Sequence, residues 1–171
     1  MQSLALVARA QTRLGHRAEA EKAEVEYMRR ANLVPSEFVR QIVTFGHAAE
    51  KAREAKDTKK QLEELLRAEA LVQKWPGQSD PQLFFDLGSA YLEAGNDAEA
   101  AKRFERIVTS GTHRAGNPLQ YVRSLYFLGQ INDRKGDRAK AADYYRKFVT
   151  YWGDGDMDRE RVAEARKKLG M

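Results

Sequence analysis

Cysteine is absent from the chain. That excludes disulfides, thiol chemistry and cysteine metal knuckles. Proline is scarce, with four residues, so long helices go uninterrupted. No apolar run approaches the ~18 residues of a transmembrane helix. Residues 1–10 carry no basic stretch followed by a long apolar core, so no signal peptide is expected. With neither signal, a cytoplasmic location is the default expectation. Blocks of five or six like charges are also missing. So are a phosphate-binding glycine loop, a nucleophile elbow and a zinc-protease helix motif.

What is there is globular and helix-leaning. Of 171 residues, 42% are hydrophobic and 32% charged. A chain of this size can bury roughly 70% of its unfolded surface. The formal net charge is +5, which invites an anionic partner. The charges are interleaved, however. Glu26 with Arg30, Glu99 with Arg103 and Glu164 with Lys168 stand four apart with Glu first, the favourable order on a helix surface. This reads as solvated helix faces and argues against nucleic acid.

The chain repeats itself. Phe84, Leu87-Gly88, Tyr91, Gly95, Ala100 and Phe104 are matched by Leu125, Leu128-Gly129, Asn132, Gly136, Ala141 and Tyr145. The spacing from the first glycine to the second, to the alanine and to the aromatic is the same in both segments. A fainter copy runs through Leu4, Val7-Ala8, Gly15 and Ala20, with Gln11 and Glu24 where the aromatics stand. A fourth unit begins at Ile42 and Phe45-Gly46 and loses the rest. Such self-similarity marks a helical repeat. The spacing predicts helices at about 3–14, 17–31, 36–55, 58–74, 81–94, 97–110, 118–135, 138–152 and 158–169. Asp80-Pro81 and Asn117-Pro118 each offer a cap followed by Pro at the first helical position. Asp97 and Asp137 are expected helix starts, and Thr58 with Gln61 reads as a capping box. Gly88 and Gly129 cost helix propensity, which packing of a facing helix against bare backbone would offset. Ala100 and Ala141 are the expected small partners. The stretch from Gly111 to Asn117 is expected as an exposed connection.

These motifs resemble the tetratricopeptide repeat, closely in the two C-terminal units and partly in the first. The resemblance implies an all-α fold: an α-solenoid of about four antiparallel helix hairpins, at about 1–34, 36–76, 81–112 and 118–153, with a capping helix at 158–169, forming one repeat domain over 1–171. Two departures are Asn132, where the family has Tyr, and the large Ile107 and Phe148, where it has Ala; these are expected to splay the last hairpins. The segments Y-V-R-S-L-Y-F-L-G-Q (121–130) and 151–170 are similar to the repeat arm of bacterial eukaryotic-like serine/threonine kinases. No glycine-rich loop, H-R-D or D-F-G accompanies them, so the resemblance implies a sensor or scaffold arm without a kinase domain.

Catalytic and metal chemistry find little support. His16, His47 and His113 are far apart. His47 with Glu50 is half a metal site without a third ligand. Asp154, Asp156 and Asp158 imitate the start of a calcium loop, but Arg159 replaces the required Gly and Ala165 the closing Glu. No enzyme activity, cofactor or metal is expected.

In the resemblance, the first helix of each hairpin lines a concave face. The residues it implies for a peptide-binding groove are Arg9, Arg13, Arg40, His47, Gln82, Phe85, Ser89, Arg123, Tyr126, Gln130 and Arg134. Phe85 and Tyr126 follow the core residues Phe84 and Leu125, so both rings are expected to face the groove. The Lys and Asn positions of the family's chaperone-tail readers carry Ala5, Arg9, Val43 and Phe85, so that ligand is not expected. The implied function is a non-catalytic scaffold for a protein or peptide with acidic and apolar residues. The alternatives are a self-assembling structural module or the regulatory arm of a larger kinase-type protein.

Overall fold

A computed structural model describes residues 2–75 and 80–171; in the first helix the side chains of residues 2, 3, 5, 6, 9 and 13 lie outside the description. Arg9 and Arg13 are among them. The described residues form ten α-helices and no strand: α1 Gln2–Arg13, α2 Arg17–Asn32, α3 Glu37–Glu54, α4 Thr58–Gln73, α5 Pro81–Glu93, α6 Asp97–Val108, α7 Gly111–Gly116, α8 Pro118–Arg134, α9 Arg138–Trp152 and α10 Arg159–Leu169. The chain divides into two compact units, 1–76 and 77–171.

The unit 1–76 contains the hairpins α1–α2 and α3–α4, with α2 against α3. The core is small-residue rich: Ala20, Ala23, Ala31, Ala49 and Ala52 are buried, with Leu65, Ala68 and Val72 from α4. Between hairpins, Glu24 of α2 pairs with Lys51 of α3 at 2.6 Å and lies 3.5 Å from His47 Nδ1. An acid thus stands where the two C-terminal repeats carry an aromatic.

The unit 77–171 contains α5–α6 and α8–α9, with α8 packed on α6 and α10 on α9. Phe84, Leu87, Phe104, Ile107, Leu128, Ile131 and Phe148 are fully buried. Val162 and Ala165 of α10 complete the cluster of Val122, Leu125, Tyr126, Tyr145 and Phe148, so α10 covers the apolar side of α9 as the capping helix was expected to do.

One turn closes every hairpin. The N–H of His16, Asp57, Asn96 and Asp137 donates to the carbonyl five residues back, at 2.8–3.0 Å. This is the reach of a helix ending in a left-handed residue. Gly15, Gly95 and Gly136 supply it at φ 75–80°. In α3–α4 the residue is Lys56, at φ 58°. It lies ten residues after Gly46 rather than seven, so α3 runs one turn longer. That extra turn is why the second repeat loses the sequence pattern.

Several local expectations are corrected. Asp57, not Thr58, caps α4 by accepting from the N–H of Lys60. α6 begins at Asp97 as expected, and Asn96 before it supplies the cap. Asn117 makes no side-chain cap bond. Residues 111–116 are a helical turn with His113 buried, not an exposed connection. The helix-surface pairs Glu26–Arg30 and Glu99–Arg103 form. Glu164 and Lys168 do not pair with each other; both turn to α8.

The close approach at the repeat glycines is to a ring rather than to alanine. A Cβ on Gly88 would stand 2.6 Å from the Phe104 ring, and one on Gly129 2.7 Å from Tyr145. Gly46, their counterpart in α3, has nothing within 4 Å of that position. Gly46→Ala is therefore expected to stabilise the protein by the full propensity gain of about 1 kcal/mol. Gly129→Ala should destabilise it, because overpacking of about 1–3 kcal/mol exceeds that gain. Urea unfolding of the two variants checks the opposite signs.

Candidate functional site

Three first helices, α5, α8 and α10, lie side by side in the unit 77–171, and side chains stitch each to the next. Gln120 of α8 donates to Gln82 Oε1 of α5 at 2.5 Å. The Phe85 and Phe127 rings face each other across the same pair at 6.0 Å. Arg134 makes a two-pronged bond with Asp97 at the start of α6, at 2.7 and 2.8 Å. Further on, Arg123 donates to Asp158 at 2.8 Å, and Tyr126 Oη to Glu164 at 2.5 Å. Gln130 donates to both Tyr126 Oη and Glu164, and Lys168 to Asp133. Asp158 sits at φ 52° and its carboxylate also receives Arg161. The left-handed turn aims that carboxylate back at α8.

These bonds engage the residues of α8 that were expected to line the groove. Tyr126 is not a free groove ring. It is 4% exposed, packed against Phe127, Tyr145 and Phe148, and held by Glu164. Arg123 and Gln130 are engaged by α10, and Arg134 is spent on Asp97. The reason is geometric: a residue on the inner flank of one first helix meets the next first helix, and here that neighbour is α10.

On α5, Phe85 is half-buried as well, with Phe104 and Phe127 around it. Ser89 is half-buried and its hydroxyl donates to the Phe85 carbonyl of its own helix. Gln82 is occupied by Gln120 and Asp86. In the unit 1–76, Arg40 donates to the carbonyls of Val34 and Pro35 and pairs with Glu37, so it braces the start of α3. His47 faces Glu24, and its supposed partner Glu50 pairs with Arg53. Among the described residues no group of three or more His, Asp or Glu gathers at metal distance. No described helix is long and apolar enough to cross a membrane.

Two residues went unforeseen. Phe127 of α8 is half-buried between Phe85 and Phe104, stacked on the latter at 5.2 Å. Arg161 of α10 lies over the Phe127 ring, 5.3 Å from its centre, and over Tyr126. Phe85, Phe127 and Arg161 therefore form a row across three first helices. The run Leu125-Tyr126-Phe127 holds three bulky residues in sequence, and spacing alone assigns only one of them to the core.

Electrostatics follow burial and pairing. Tyr126 and Tyr145 are both raised from the ordinary phenol value of 10, chiefly by burial; Glu164 adds to the first and Asp133 to the second, which is pushed up to about 12. Arg134, through its hydrogen bonds, holds Asp97 below the usual carboxylate value. The raised phenols favour the neutral form in the folded protein. Their contribution is complete below pH 10 and is lost as pH rises from 10 through 12. We expect stability to fall across that window. Tyr145→Phe should remove about 2 kcal/mol of the fall, as read from urea midpoints taken between pH 8 and pH 12.

Compared with known protein families, residues 122–158 match the tetratricopeptide repeat. The match spans α8, α9 and the connection to α10, and it supports a tetratricopeptide-repeat protein. No curated protein matches the chain.

Proposed function

We propose that this chain is a non-catalytic protein-interaction module. Its unit 77–171 would receive a peptide or protein segment along the row of Phe85, Phe127 and Arg161. The observation that carries the reading is the pair of half-buried rings on adjacent first helices, with a guanidinium over one of them. Rings left partly open beside Arg are the side-chain types that dominate binding energy. Leu92, half-buried on α5, extends the apolar strip. Arg161 has its charge partly met by Asp158, so the row suits a segment that is mainly apolar with acidic residues. Repeats of this kind generally mediate protein–protein contacts, which supports the same class.

A second reading, self-association, is favoured by the first hairpin. Leu14, Val25 and Leu33 are each about two-thirds exposed there. Gel filtration over a dilution series separates this reading from a monomeric binder.

The test of the main reading is selection from a displayed peptide library on the full chain. Apolar peptides carrying Asp or Glu should be enriched, and their affinity should fall with added salt. Ser89→Glu places a negative charge one turn from Phe85 and removes only a hydroxyl bond within the same helix. It should weaken those peptides about tenfold while the melting temperature holds. Phe85→Ala should weaken them as well, at a stability cost below the ~3–5 kcal/mol of a fully buried Phe. Enrichment that ignores both substitutions would place the binding surface elsewhere.

A further inference from the structure

A cleft of about 260 Å³ opens where the α8–α9 turn meets the last turn of α10, lined by Asp133, Arg138, Ala141, Ala142, Tyr145 and Lys168. It is separate from the Phe85–Phe127 row. Three observations concern its polar groups. Tyr145 is 2% exposed, and its hydroxyl, shielded from solvent, has no hydrogen-bond partner. A buried donor without an acceptor is uncommon in folded proteins. Arg138, at the start of α9, is exposed, and its guanidinium makes no hydrogen bond or ion pair among the described residues. Lys168 reaches in from α10 and bridges to Asp133 at 2.5 Å.

We propose that this cleft is a binding site for a carboxylate, with Arg138, Tyr145 and Lys168 as its donors. The lining carries two positive charges and one negative, a surplus of one. A monoanion balances it, whereas a dianionic phosphate would overshoot and be repelled by Asp133. The planar guanidinium fork of Arg138 matches two carboxylate oxygens. The Tyr145 hydroxyl gains the acceptor it lacks. Lys168 is shared between Asp133 and the ligand, and both it and Arg138 are surface side chains able to shift toward an occupant. Ala141 and Ala142 leave room for the short aliphatic stem of an acidic side chain or a small organic acid.

The carboxylate can come from a free acid or from a peptide, and two probes distinguish them. Butyrate and an acetylated, amidated glutamate, both monoanions, are titrated into the full ¹⁵N-labelled chain, with amide shifts followed over residues 133–145 and 168. Saturable shifts confined to those residues are expected, and the tighter probe identifies the source. Arg138→Ala should weaken binding about tenfold or more, as loss of a charged donor does. Tyr145→Phe should weaken it too while melting no earlier than the parent, since its hydroxyl bonds nothing in the folded chain. Arg146→Ala, farther along α9 and outside the cleft, should bind as the parent does. Three results would each overturn the site: no saturable shift, equal binding in Arg138→Ala, or tighter binding of inorganic phosphate than of either carboxylate. Equal losses in Arg146→Ala would also overturn it, by reducing the effect to surface charge.

Discussion

The contact on which the C-terminal unit depends is a ring laid on a glycine. Phe104 lies against Gly88 and Tyr145 against Gly129, each at a distance that leaves no space for a methyl group. A helix interior ordinarily excludes glycine, at about 1 kcal/mol against alanine. Here the missing side chain lets a fully buried ring reach the backbone of the opposite helix. That approach sets the separation within each hairpin. The rest of the core, from Leu87 and Ile107 to Leu128 and Phe148, fills what the ring leaves. Among the described residues of the N-terminal unit no such contact occurs. Gly46 faces open space, and the corresponding places hold Glu24 and small alanines. Its second hairpin relies instead on a longer α3 and a left-handed Lys56.

The same repeating geometry explains why the inner flank of α8 is closed. In a stack of first helices, each presents one side to its predecessor and one to its successor. α8 gives Gln120 and Phe127 to α5, and Arg123, Tyr126 and Gln130 to α10. The contact with α10 is hydrogen-bonded and ionic on the α8 side and apolar on the α9 side, through Val162 and Ala165. A terminal helix made this way hides an apolar edge while keeping a charged outer face.

Much of the architecture was legible in the chain itself. Helix existence followed from periodicity, and hairpin spacing from the recurrent glycines. Asp80 capped its helix as expected because a side-chain oxygen three residues before an amide has one natural target. The turn at Lys56 was hidden, since a lysine carries no signal for a left-handed conformation. The helical turn at 111–116 was hidden too, because Gly-rich composition resembles a loop until His113 is buried.

What the sequence determined alone was local: where helices start, how long they run, and which stripe of each is apolar, because those depend on neighbours within one or two turns. Which of two adjacent bulky residues enters the core was decided only by tertiary structure. Tyr126 and Phe127 differ by one position, about 100° around the helix, and both had a surface to pack on. Their fates depended on Phe85 and Phe104 on one side and Glu164 on the other, residues 23 to 42 positions away in the chain. The partners of Arg123, Arg134 and Lys168 were likewise decided there. A long charged side chain has several acids within reach, and only the packing of whole helices selects among them.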